Sequence, residues 1–500
     1  MSLSLWLLIM LALGISIIVA SRLEKTSQNK ILSTFLCIIL VCIFALRYFY
    51  NLIWIVVSIP AVIIILRKFG SVKLLWVPLA FLIWFPFPQL PIPAFVQHLF
   101  VECNLTEIVI LVGFLLWGLY ALVSLRSGNN IIQVVPYWNW LGLFFLGAIL
   151  AFFMGAFFNS EVDFDAERAF IFLRSIFLIS FLLYILSIQS IRTTKDSESI
   201  MMAFLLGAIL MALVVLKGDR PEASTIGPAL TEDTRSEYMG LFALPFGLTL
   251  SVGGNSAATF FAMAGLLSFS LWLNGSLRWQ RFVGFFAFLF ASVMVIVMST
   301  RGIWVSMTLG LTVIIFLSIK RHRVSLLRCF INLLITLGVI VIIYSLTNLK
   351  DIQYRIESLL HRDLLQLDEA AMYRFEQYFK LGKVFVRNPL GVGGKILYTQ
   401  EAISPHSLYL KLALMTGIIG LISYPIFLFM LMRYWYVTLP FLAQGHWIVI
   451  GAISIVILIF TFGLTGDTIV RFYLNTSFML ICGLTTALVR ANRKKNGKLI

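Results

Sequence analysis

Ser404-Pro405-His406-Ser407-Leu408-Tyr409 opens an apolar stretch that continues to about Met432, and its reading decides the fold. At roughly 1.5 Å per residue, a helix of that length exceeds the roughly 30 Å hydrocarbon core of a bilayer. Ser404 is a good N-cap and Pro405 suits the first helical position, which would place His406 in the opening turn. Runs of this kind recur from end to end, each closed by a charged or Gly/Pro-rich break. Candidate spans lie near 4–20, 31–46, 50–66, 74–87, 107–125, 138–157, 168–187 and 200–216, then near 237–253, 257–273, 282–298, 303–319, 326–346, 407–432, 447–463 and 470–488. The pattern predicts an all-α, polytopic integral membrane protein of about 12–15 transmembrane helices with one larger extracytoplasmic helical loop.

Composition agrees. Hydrophobic residues make up 60% of the 500 and charged residues only 12%. The 38 Lys+Arg against 22 Asp+Glu give a net charge of +16. In a bilayer protein that excess reflects cytoplasmic loops and anionic lipid headgroups, not nucleic acid. Cys37, Cys42, Cys103, Cys329 and Cys482 are scattered, mostly within apolar segments, with neither a disulfide framework nor a metal spacing. The first segment, Leu3 to Ala20, lacks a basic start and a small-residue cleavage pattern, and reads as a retained helix.

Basic loops set the expected orientation. The tail (Arg490, Arg493, Lys494, Lys495, Lys498), Lys320-Arg321-His322-Arg323, the turn Arg278 to Arg281, and Arg67-Lys68 should be cytoplasmic. Counting back from the tail puts 347–405 and the turn Ser299-Thr300-Arg301-Gly302 outside. Counting forward puts 158–167 and 217–236 outside as well. The two counts collide at 237–273, where an odd number of crossings is needed but two apolar runs flank Gly253-Gly254-Asn255. The chain therefore divides into N-terminal helices (1–216), helices bearing the outer-face arginines (217–346), an extracytoplasmic loop (347–405) and C-terminal helices (406–500).

The outer segment contains an amphipathic stretch, Asp368 to Val386, with Met372, Phe375, Phe379, Val384 and Phe385 set among charges, as in a helix lying on the membrane surface. It then turns through Asn388-Pro389-Leu390-Gly391-Val392-Gly393-Gly394, a glycine density that signals tight backbone geometry or close approach to a ligand.

Chemistry-bearing residues collect on the outer side. His406 opens one helix, whose positive end disfavours imidazolium and so leaves a neutral base. Arg301 sits in a very short turn between apolar helices, where a cation is costly unless an anion meets it. Arg220 and Arg235 lie in the loop 217–236, and Arg374 in the amphipathic stretch. Guanidinium forks match phosphate oxygens in a bidentate way, so this set suits a phosphate-bearing lipid. Each residue also has a plainer role open to it: His406 as an interfacial side chain, the arginines as snorkelling groups or partners of Asp219, Glu222, Glu232 or Asp233. No P-loop, dinucleotide fingerprint or His-Glu metalloprotease pair is present, and the outer carboxylates match no histidines, so neither cofactor nor metal is expected.

Arg387-Asn388-Pro389-Leu390-Gly391-Val392-Gly393, Pro405-His406-Ser407-Leu408-Tyr409-Leu410 and Thr416-Gly417-Ile418-Ile419-Gly420-Leu421 together resemble the signature of the O-antigen ligase and O-antigen polymerase superfamily. Ser299-Thr300-Arg301-Gly302 resembles that family's Ser-x-Arg turn, and the similarity covers about residues 215–430. Ser407 stands where the family usually has asparagine, and Thr416 where an acidic residue is common. The resemblance implies a metal-independent, inverting glycosyltransferase of the bacterial inner membrane. Such an enzyme takes a glycan from undecaprenyl diphosphate on the periplasmic face and passes it to an acceptor hydroxyl. On this likeness His406 activates the hydroxyl and Arg301 clamps the diphosphate. A second family arginine is matched by Arg220 or Arg235, with Arg220 favoured because the family's asparagine falls at or near Arg235; Arg374 resembles an arginine before the proline-glycine turn. Expected partners are the lipid-linked donor, a glycan acceptor, membrane lipids and other polysaccharide-assembly proteins. The long outer segment favours a polymerase of repeat units over a ligase. A lipid-linked oligosaccharide flippase is the competing class, but it should show pseudo-symmetric halves, and none is visible.

Overall fold

A chain segment in hydrocarbon must satisfy its backbone groups internally, and the apolar runs do so as helices. The computed structural model describes residues 132–157, 173–216, 242–244, 248–250, 254–297, 301–320, 369–393, 407–464 and 472–495, with isolated positions at 170, 338 and 466 and in a helix between 107 and 126. In order these give α1 (Trp138–Phe157), a π-helical turn (Leu173–Leu178) running into α2 (Ile179–Ser190), α3 (Thr194–Leu216), strands β1 (Phe242–Leu244) and β2 (Leu248–Leu250), α4 (Gly254–Asn274), α5 (Arg278–Val297) and α6 (Arg301–Lys320). There follow α7 (Glu369–Arg387), α8 (Leu408–Thr438), a 3-10 turn (Leu439–Phe441), α9 (His446–Phe462) and α10 (Phe472–Lys495). Among the described residues five helices are long and apolar enough to cross a membrane, and the chain is an all-α, multi-pass membrane protein.

Eight expected spans, from 138–157 through 470–488, coincide with α1, α3, α4, α5, α6, α8, α9 and α10, and 168–187 is helical from Leu173 onward. The spans at 4–20, 31–46, 50–66 and 74–87 lie outside the described residues, 326–346 is described only at Gly338, and 107–125 only at scattered helical positions.

The apolar run 237–253 does not form the helix its hydropathy suggests. Its described residues pair as an antiparallel hairpin, Phe242 opposite Leu250 and Leu244 opposite Leu248. This resolves the orientation conflict, as the directions of the helices show. Arg490 Nη2 donates to Ile188 O at 2.8 Å, so the ends of α2 and α10 are together. Asn274 Nδ2 donates to Ser318 Oγ at 2.9 Å, and Lys320 Nζ to Tyr436 OH at 3.0 Å, which brings the ends of α4, α6 and α8 to one side. The Arg493 guanidinium lies 4.6 Å from the Tyr434 ring centre there. We call this side the tail end. Helix α3 leaves it and α4 returns to it, so the chain between them starts and ends on the side opposite the tail. The two counts agree once that run is removed.

Helices α4, α5, α6 and α9 pack as one group, and α1, α2, α8 and α10 as a second group joined to it through α9 and α10. Phe144 of α1 sits among Phe177, Phe181 and Tyr424, with ring centres at 5.1, 5.4 and 5.1 Å. Close backbone approach replaces a hydrophobic drive that lipid cannot supply. Gly147 of α1 makes such an approach to α8: a Cβ there would meet Thr416 O at 2.6 Å and Gly420 N at 3.0 Å.

Helix α8 is broken at Gly417 (φ 64, ψ −169). In an unbroken helix the Ile418 N–H would donate to Leu414 O. Here Ile418 N donates to Pro389 O at 2.9 Å, and Leu414 O accepts from Val392 N at 2.7 Å. The Asn388–Gly393 turn is thus spliced into the helix's own hydrogen-bond ladder. The close approach that its glycines signal is to this chain and not to a ligand. A Cβ at Gly391 (φ +89) would meet Gly417 N at 2.7 Å and Ala151 Cβ at 2.8 Å, and one at Gly417 would meet Leu390 C at 2.5 Å.

Gly417→Ala should therefore cost stability by about 1–3 kcal/mol from backbone conformation alone, with steric overlap adding to it. Gly142→Ala, on a face of α1 with nothing within 4 Å of the added methyl, should be neutral or stabilising. Thermal melting of the two purified variants in detergent checks the contrast.

Candidate active site

The end opposite the tail gathers the starts of α6 and α8, the end of α9, and α7. Helix α8 begins at Leu408 with Ser407 as its N-cap in an extended conformation (φ −133). The sequence reading, which put the N-cap at Ser404 and His406 in the first turn, set the helix start too early. The physical reason is where the first amide finds its acceptor. Leu408 N donates to Gly463 O at 2.9 Å and to Gly466 O at 3.0 Å, so carbonyls at the end of α9 satisfy it instead of a capping side chain. Two more bonds fasten the same junction: Ser407 Oγ donates to Gly463 O at 3.3 Å, and Tyr409 OH to Phe460 O at 3.0 Å. The carbonyl end of α9 thus meets the amide end of α8. His406 directly precedes Ser407 in the chain and itself lies outside the described residues, as do Arg220 and Arg235.

Arg301 is the first residue of α6. Trp304 Nε1, one turn on, donates to Val295 O at 3.1 Å and ties the opening of α6 to the last turn of α5. Helix α6 packs along α9 and ends beside α8, so its Arg301 end lies on the same side of the bundle as Ser407.

The amphipathic stretch is helix α7, as expected, and its described apolar residues divide between an exposed and a packed face. Phe379 is 70% and Val386 79% exposed, whereas Leu381 is buried against Val392 and Leu414, with Val384, Phe385 and Leu410 around them. Tyr378 OH donates to Leu464 O at 3.4 Å, which brings this part of α7 to the α8–α9 junction. Arg374 stands one turn earlier in the same helix. Ser407, where the family usually has asparagine, spends its hydroxyl on a backbone carbonyl, and Thr416 likewise on Leu412 O at 2.6 Å.

Several buried polar groups here escaped the sequence reading. Gln377 of α7 is 3% exposed, and its Oε1 has no hydrogen-bond partner among the described residues. Lys411, one turn into α8 on the Ser407 face, is also buried. Arg174 in the π-helical turn pairs with the fully buried Glu107 at 3.3 Å. A π-turn and an intramembrane ion pair are both marks of function, and the only sequence signal was a charge within each apolar run. A cavity of about 240 Å3 lined by Glu198, Asn274, Arg281, Gln444, His446 and Trp447 lies at the tail end, away from these residues. No group of three or more His, Cys, Asp or Glu among the described residues could hold a metal ion.

No curated protein matches the chain. A family model described as O-antigen ligase matches residues 286–424, a segment that includes Arg301, Arg374 and His406 and excludes Arg220 and Arg235. It is narrower than the 215–430 suggested by the motifs alone. Its two ends fall in α5 and α8, so it spans the spliced turn and the helix starts just described. Over this segment, less than a third of the 500 residues, the chain is similar to the family described as O-antigen ligase.

Proposed function

We propose that this protein joins polysaccharide repeat units outside the cytosol, transferring a growing glycan from undecaprenyl diphosphate to the hydroxyl of an incoming unit. One observation carries the reading. The helix that opens with Arg301 and the helix that follows His406 begin at the same end of the bundle, opposite the basic tail end. The described basic residues of that tail end include Arg192, Lys195, Arg278, Arg281, Arg490 and Arg493, which by the positive-inside tendency makes it cytoplasmic.

In this mechanism the acceptor hydroxyl attacks the anomeric carbon of the donor sugar and His406 takes its proton. The bond from that carbon to the diphosphate oxygen breaks, and undecaprenyl diphosphate leaves with its new negative charge held by Arg301. A single displacement of this kind inverts the anomeric configuration. A guanidinium at a partly dehydrated interface stabilises leaving-group charge better than it would in bulk water, so no metal is required of the scheme. Arg374 and either Arg220 or Arg235 would hold the remaining phosphate or glycan oxygens. Arg374 and His406 share the matched segment with Arg301, which gives them more support than the two arginines outside it.

The length of chain between Arg301 and His406 favours a polymerase, since a growing polymer needs room at the outer face. The lipid-linked intermediates of a deletion strain test that choice. Single units accumulating outside indicate lost polymerisation, long polymer left on its carrier indicates lost ligation, and units trapped inside indicate a transporter.

His406→Ala should lower transfer by about 10²–10⁴-fold while expression persists, the usual contribution of a general base. Normal chain growth in that strain would sink the assignment. Arg301→Lys keeps the charge and loses the fork, so donor turnover measured in membranes should fall well below wild type. Turnover at the wild-type rate would leave Arg301 only a topological role.

A further inference from the structure

We infer that Gln377 is a glycan-binding residue whose side-chain oxygen accepts a sugar hydroxyl at the junction of α7, α8 and α9. The inference rests on the glycosyl-transfer reading above and adds a residue to it.

Gln377 is buried, and its Oε1 has no hydrogen-bond partner among the described residues. A buried amide oxygen without a partner loses its hydration and gains nothing in return, so folded proteins seldom keep one unless something outside the fold completes it. Its position says where that something comes from. Gln377 and Leu381 share one face of α7, four residues apart, and Leu381 packs on Leu414 and Val392. Gln377 lies one turn further from the spliced turn, beside Tyr378, whose hydroxyl reaches Leu464 O. The next carbonyl back, Gly463 O, is the one that holds Leu408 N and Ser407 Oγ. Gln377 therefore stands at the level where α8 begins, at Leu408. Helical side chains tilt toward the helix N-terminus, which carries its amide away from the Leu381–Leu414 packing and toward that level.

The chemistry of the group selects the ligand. A carboxamide both accepts and donates without charge, which suits a hydroxyl and not a phosphate, for which the arginines are better equipped. The neighbouring ion pair Glu376–Lys380 is exposed.

The test uses the full chain in lipid nanodiscs, with lipid-linked repeat units from the strain that carries the gene as donor and acceptor. Q377M keeps the length of the side chain and removes its polar atoms. It should melt no lower than wild type, because it deletes an unpartnered buried oxygen. Its KM for one glycan substrate should rise about tenfold with kcat nearly unchanged, the scale of one neutral hydrogen bond. The affected substrate, donor or acceptor, tells which sugar Gln377 holds. Unchanged KM for both, or a Q377M chain that melts earlier because the amide is paired within the fold, overturns the inference. A wild-type protein that transfers no glycan at all would instead remove the functional reading on which it rests.

Discussion

Two exchanged backbone hydrogen bonds hold together the half of this molecule opposite the tail end. At Gly417 helix α8 gives up its Ile418-to-Leu414 bond, and the Asn388–Gly393 turn supplies both replacements, Pro389 O to the amide and Val392 N to the carbonyl. Within hydrocarbon or at its edge, each such group left unmatched would cost several kcal/mol, roughly the whole stability of a small domain. The break is therefore tolerable only with the turn in place. It also requires α1 alongside, since Ala151 and Gly147 leave just enough room for Gly391, Gly393 and the α8 backbone. The glycines of the family-like motifs are explained by this interlock. They are the residues without which three chain segments could not touch.

The same interlock fixes α7. With its end pinned at Asn388 and its buried face on Leu410 and Leu414, α7 is held against the start of α8, and the end of α9 caps that start with Gly463 O and Gly466 O. The start of α8 thus hangs from a frame of main-chain bonds. Arg301 is held in a similar manner, through the Trp304 indole on the Val295 carbonyl. Rigid attachment of this kind is what a site needs if it must hold reacting groups in a fixed relation near a fluid bilayer.

Much of the fold was legible in the sequence because hydropathy reports directly on what a bilayer demands. Helices α1, α3–α6 and α8–α10 follow the apolar runs closely. The failures have specific causes. The run 237–253 is apolar enough for a helix, yet its described residues form a hairpin, and only the orientation count hinted that one crossing was surplus. Ser404 and Pro405 look like a helix start, but capping by the distant carbonyls of Gly463 and Gly466 moved the start to Leu408, and no local rule contains that information. Which apolar residues of α7 pack within the protein was not legible either: Leu381 is buried on Val392 and Leu414 while Phe379 is exposed. Of the proposed site, the positions at the openings of α6 and α8 could be read from the short turn at Arg301 and the run around His406. The buried polar groups Gln377, Lys411, Arg174 and Glu107 could not, since burial is a property of partners that the linear chain does not display.

The spliced turn also bears on how the chain is made. Residues 388–393 precede α8, and α1 precedes both, so when the second half of α8 enters the bilayer its missing acceptor and donor have already been synthesised. The preceding turn must already stand at that end of the bundle before α8 can seat without bare amides in lipid. Insertion of this helix is in that sense licensed by the turn made before it, an order of assembly written into two peptide groups.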